Sequence, residues 1–143
     1  MSDLNDLTEN EVVKVVSDWL QRIGYTMLKD PCFDTAKGDD ISATSPDGSE
    51  LYVECKGSIS KKGNMLSDWV SSAMAVFGAI VETAHKRPKH IHAIAVPATE
   101  PYKRTLEPLR DFFIKQDITL IWVNKDGTVS VDGAQKIKTP ESF

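Results

Sequence analysis

Asp40, Glu54 and Lys56 are the residues of this sequence whose types and spacing could do chemistry together. Glu54 and Lys56 stand two apart in a run, residues 51–56, that reads as a β-strand. They therefore share one face, while Val53 and Cys55 turn to the other and meet a packed layer. Asp40 opens an earlier strand over residues 40–44, and Ser45-Pro46-Asp47-Gly48-Ser49 is the turn between the two. With Pro46-Asp47-Gly48 as a three-residue loop and Gly48 in the left-handed conformation, Ser45 pairs with Ser49, Thr44 with Glu50 and Asp40 with Glu54. Opposed side chains lie on one face with Cβ atoms roughly 4.5–5.5 Å apart. An even-numbered loop would slip the register and turn Asp40 to the wrong face. Two carboxylates this close repel unless positive charge lies between them. Lys56 supplies one charge, and a divalent cation such as Mg²⁺, which takes few hard oxygen ligands and keeps its waters, would supply the rest. Such an ion lowers the pKa of a bound water and neutralises charge on a phosphodiester oxygen. Lys56 would orient the attacking water or stabilise the pentavalent phosphorus. The chemistry expected is hydrolytic phosphoryl transfer.

The elements around this hairpin must hold it in place. Thr8-Glu9-Asn10-Glu11 reads as a capping box, with Thr8 as N-cap and Glu11 three residues on. Val12, Val13, Val16, Trp19, Leu20 and Ile23 follow at helical spacing to Gly24, giving a first helix over residues 9–23. Residues 25–28 read as a short strand and 30–38 as a loop. Residues 65–85 read as a long helix with a wide apolar stripe, covered on more than one side. Apolar strands at 91–96 and 118–123 flank an amphipathic helix at 102–115 led in by Pro101, and residues 127–131 read as a short last strand. The order α-β-β-β-α-β-α-β predicts an α/β sandwich around a mixed sheet. At 143 residues this is one domain, 1–143, with its core over 8–123 and a short strand and tail over 124–143.

Bulk properties exclude several classes. Hydrophobic residues at 41% and charged residues at 27% are an ordinary globular balance. No apolar run is long enough to span a bilayer, and the polar, acidic first residues are the wrong chemistry for a signal peptide. Cys32 and Cys55 give neither a disulfide framework nor a metal spacing, which makes a reducing cytoplasm the expected location. The net charge of −4 argues against a generic nucleic-acid coat. Charge is uneven, however: residues 1–55 hold 4 Lys/Arg against 12 Asp/Glu, and residues 56–92 hold 6 against 2. Lys61, Lys62 and Ser58 lie in the loop just past Lys56, where they would grip a phosphate backbone. His85, Lys86, Arg87, Lys89 and His90 read as a solvated face, His92 as structural, Cys55 as buried and inert, and Tyr102 as an exposed helix start.

Asp40, then Glu54-x-Lys56 one strand later, in this order of elements over residues 8–123, resembles the PD-(D/E)xK nuclease superfamily. The resemblance implies a restriction-endonuclease-like three-layer sandwich with a mixed central sheet and flanking helices. It implies a Mg²⁺-dependent nuclease acting on DNA, with RNA as a further substrate class and Mn²⁺ able to substitute. Asp40, Glu54 and the Cys55 backbone carbonyl would hold the metal, and Lys56 would be the catalytic base or electrophile. Many relatives carry a metal-linked Glu on the first helix, for which Glu11 is the match, although the capping box already accounts for it. Asp39 stands where the family has Pro and is a rival ligand, and residues 65–85 lack the Gln of several relatives. A second hypothesis is a catalytically inactive module of the same fold that binds nucleic acid or a protein. A third is an interaction protein, a homodimer through the stripe of residues 65–85.

Overall fold

A computed structural model describes residues 3–28, 40–60, 62–63 and 90–137. The expected helix over 65–85, with its stripe and dimer face, and Asp39 and Lys61 lie outside the described residues.

Helix α1 spans Glu9–Arg22 and starts as its sequence dictates. Thr8 Oγ1 accepts from Glu11 N at 3.2 Å, and Glu11 Oε1 accepts from Thr8 N at 2.9 Å, so two donors that helix geometry orphans are satisfied. The helix ends at Gly24, whose φ of +99° suits the position after the cap, with Tyr25 N–H returning to Leu20 O at 2.9 Å. Strands β1 (Thr26–Met27), β2 (Ile41–Thr44) and β3 (Glu50–Cys55) follow as an antiparallel set. The hairpin has the expected register: Thr44 opposes Glu50 and Ile41 opposes Val53. Ser45 N–H donates to Ser49 O at 2.8 Å and Gly48 has φ +92°, so the loop is the three-residue one.

Strands β4 (Ile91–Pro97) and β5 (Ile118–Val123) run parallel to β3, and β6 (Val129–Gly133) closes the far edge antiparallel to β5. Sheet order is β1-β2-β3-β4-β5-β6. One helix was expected over 102–115. Instead α2 (Glu100–Leu106), a single 3₁₀ turn (Glu107–Leu109) and α3 (Arg110–Lys115) occupy that stretch. Pro108 is the cause: it has no N–H to donate and its ring crowds the carbonyl four residues back. Thr99 caps α2, accepting from Tyr102 N at 3.4 Å, and Pro101 stands in the first turn, where it was expected to lead the helix in.

Side-chain alternation divides the core in two. Ile41, Ala43, Leu51, Val53, Cys55, Ala93, Ala95, Ile121 and Val123 face Val12, Val13, Val16 and Leu20 of α1. On the other face Ile94, Val96, Ile118, Leu120 and Trp122 meet Tyr102, Leu106 and Phe113 of α2 and α3. The result is three layers, α1, sheet, and α2 with α3, with the near-continuous apolar β4 and β5 between. Leu20 is wholly buried, and cutting it to Ala would cost about 2–5 kcal/mol. Among the described residues no helix is long and apolar enough to cross a membrane.

Candidate active site

The carboxyl ends of parallel strands are where open α/β sheets present chemistry, because the chain leaves the sheet there and its side chains splay outward. Strand β3 ends at Cys55, and Glu54 and Lys56 flank that end. Asp40 immediately precedes β2, and continuing the observed register sets it opposite Glu54. Ser45 and Ser49 exchange a backbone hydrogen bond, so alternate pairs along the ladder do and the pairs between do not. Asp40 and Glu54 fall in the second class, which brings side chains closer. The next donor on that edge of β3, Cys55 N–H, goes to Asp40 Oδ2 at 2.7 Å. A carboxylate takes the rung a backbone carbonyl would otherwise fill, and this charge-assisted bond fixes where Asp40 points.

Lys56 N–H donates to Ala95 O at 3.0 Å, extending the parallel ladder one residue beyond β3. Its Nζ lies 3.4 Å from Glu54 Oε1 and 3.9 Å from Glu9 Oε1, with the lysine side chain 20% exposed. Glu9, the first residue of α1, is therefore the helical carboxylate that reaches the site. Glu11, the expected one, does not: its carboxylate is folded back onto Thr8 N–H on the exposed side of the helix start. One capping box settles both positions, since the Glu three residues after the cap is held backwards and the Glu at the first helical position projects past the end. The capping motif was the signal that could have found Glu9.

Electrostatics bind the four groups together. Burial pushes the Glu9 carboxyl above its ordinary range, the Glu54 charge adds to this, and Lys56 opposes it. The Cys55 thiol is pushed well up, first by its complete burial, then by Asp40, Glu54 and Glu9, with Lys56 opposing. Cys55 is thus the buried, inert residue expected of it. One lysine among the described residues, Lys56, stands with the carboxylates of Asp40, Glu54 and Glu9. Among the described residues no three His, Cys, Asp or Glu side chains form a ready-made metal cage. Two opposed carboxylates suit a hard ion such as Mg²⁺, which retains waters, and not a closed structural Zn²⁺ site.

Two residues expected at the surface are buried. Ser58 is buried, its hydroxyl accepting from Leu7 N at 3.1 Å and donating to Asp6 Oδ1 at 2.9 Å, so it is not presented to a phosphate backbone. Tyr102 is 2% exposed and donates to Gly57 O at 2.9 Å; its ring is core, not the exposed helix start expected. Lys62 is exposed, in the tight turn closed by Gly63 N–H to Ser60 O at 2.8 Å.

No protein-family model matches the chain, and no curated protein matches it. Among solved structures, an XisH family protein from Nostoc punctiforme superposes with a TM-score of 0.54 at 17% identity, over 84% of this chain and 96% of that one. The fold is restriction-endonuclease-like. At that identity the likeness extends to the fold alone. SfsA from Pyrococcus furiosus, solved in complex with Ca²⁺, is a looser match: TM-score 0.39 and 17% identity, over 83% of this chain and 58% of that one.

Proposed function

We propose that the chain is a Mg²⁺-dependent nuclease of PD-(D/E)xK type that hydrolyses phosphodiester bonds in DNA. The observation that carries this reading is the register setting Asp40 against Glu54, with Lys56 Nζ 3.4 Å from the glutamate. Asp40, Glu54 and the Cys55 carbonyl would hold the ion, with Glu9 in the helix role first given to Glu11. When bound, Mg²⁺ supplies charge neutralisation at the scissile phosphate and a more acidic water. The donor set fits it: the register sets two hard carboxylates opposite each other, and among the described residues three acids stand about one ammonium.

The chain's own residues do the remainder. Asp40, tied to Cys55 N–H, holds its carboxylate in place before substrate arrives. Glu54 keeps Lys56 Nζ at the strand end, where an ammonium can hydrogen-bond the water or the non-bridging oxygens. Glu9 offers a second contact to the same ammonium and so limits its swing. Lys62 is exposed on the adjoining turn, able to meet the phosphate backbone beyond the cut.

The test is a cleavage screen of wild type and Glu54→Ala on duplex, branched and single-stranded DNA and on RNA, with Mg²⁺ or Mn²⁺. Cleavage by wild type and none by the variant supports the reading. A net charge of −4 favours a non-catalytic binding module of the same fold. That alternative takes over if no nucleic acid is cut.

A further inference from the structure

The segment before α1 crosses the carboxyl ends of the strands and is tied at every step. Asn5 Nδ2 donates to Ala98 O at 3.1 Å, Asn5 Oδ1 accepts from Lys125 N at 3.0 Å, and Asp3 Oδ2 accepts from Glu100 N at 2.9 Å. At its centre Leu7 O accepts from Ser58 N at 2.8 Å, while the Ser58 hydroxyl accepts from Leu7 N and donates to Asp6 Oδ1. Asp6 and Ser58 are each 5% exposed.

A buried carboxylate paired with a hydroxyl is a poor way to add stability, since an apolar pair of similar volume would serve as well. What directional polar bonds add is a fixed alignment of the two backbones that carry them. Those backbones carry the site. Asp6 lies three residues before Glu9, and Ser58 two residues after Lys56. Between them Gly57 leaves no room for a side chain, because a Cβ there would sit 2.6 Å from the Thr8 carbonyl carbon and 2.8 Å from Leu7 O. Tyr102 holds Gly57 O from a third side. The end of β3 and the start of α1 are in backbone contact, and the Asp6–Ser58 bond joins the two beside the backbone bonds to Leu7 O.

We propose that Asp6 and Ser58 are positioning residues that fix Lys56 against Glu9 and Glu54, without themselves touching substrate. This rests on the nuclease reading above. A small shift of a reacting group is costly: misplacement by about 1 Å can cost roughly 100-fold.

The experiment measures kcat and KM for Ser58→Ala, Asp6→Ala and the double variant well below their melting temperatures. The expected result is a kcat loss of roughly 10- to 100-fold with KM for DNA unchanged, and a double variant no worse than the single ones. Asp6→Asn keeps an oxygen for the Ser58 hydroxyl and should run close to the wild-type rate. Lower melting temperatures with kcat unchanged would overturn the proposal, as would additive losses. Should Ser58→Ala not fold, Ser58→Cys, nearly isosteric and a weaker donor, is read the same way. If wild type cuts nothing, the nuclease reading falls and a crystal structure of Ser58→Ala decides the latch. Lys56 Nζ displaced from its 3.9 Å contact with Glu9 would uphold it, and an unmoved Lys56 would end it.

Discussion

Two charged clusters on this sheet are built on opposite plans. At the far edge Arg110 meets Asp132 with two short bonds, 2.8 and 2.7 Å, in the parallel fork that guanidinium and carboxylate favour. Burial pushes the Asp132 carboxyl up, but the bonds from Arg110, from Gly133 N–H and from Trp122, with the Arg110 charge, more than offset this and leave it below the ordinary range. Arg110 and Asp132 satisfy each other there. At the carboxyl end of β3 Lys56 faces Glu54 and Glu9 at 3.4 and 3.9 Å, and Glu9 is pushed the other way, upward. The first cluster is complete as folded. Among the described residues the second sets Asp40, Glu54 and Glu9 about one lysine, the kind of perturbed acidic cluster that functional sites gather.

That contrast can be broken at several points. The largest effect belongs to Lys56→Ala and Glu54→Ala, which should each lower Mg²⁺-dependent cleavage by roughly 10²–10⁴-fold, with far-ultraviolet circular dichroism unchanged. Cleavage kept by either variant would mean that the second cluster is ordinary surface charge. Glu9→Gln comes next. Removing one of three like charges should raise the melting temperature of the metal-free protein and weaken Mn²⁺ binding by calorimetry, roughly 10-fold or more. A gain in stability with no loss of binding would make Glu9 a strained structural residue only.

Thr8→Ala probes the neighbouring cap. It should cost about 1 kcal/mol in chemical unfolding while cleavage by the folded protein is unchanged. The smallest effect is expected from Arg110→Ala: a modest fall in melting temperature, less marked at high salt, and wild-type cleavage. The same pair gives a pH test. Asp132 is lower in the folded than in the unfolded chain, so its contribution is present above the ordinary value of 3.8 and lost as pH falls through the folded one. Wild type and Arg110→Ala should therefore converge in stability at the acid end.

The hairpin was legible because its information is local: Pro46-Asp47-Gly48 chooses the loop, the loop fixes the register, and the register puts Asp40 across from Glu54. The apolar strands β4 and β5 were legible from composition alone. What was misread depended on contacts between distant segments or on a competing local rule. Ser58 and Tyr102 look like exposed polar residues in a loop and at a helix start, and only the fold reveals Asp6, Leu7 and Gly57 as their partners. Pro108 carried its own signal against a continuous helix, and the amphipathic pattern around it masked that. Glu11 was named through family likeness, although the capping box turns its carboxylate away.

The central claim is that Asp40 and Glu54 face each other to hold a divalent cation, and an anomalous-scattering crystal structure with Mn²⁺ tests it most directly. A Mn²⁺ ion bound by both carboxylates in wild type, and absent from Glu54→Ala, is the result predicted. No ion there at saturating Mn²⁺, or an ion held by other residues, would contradict it.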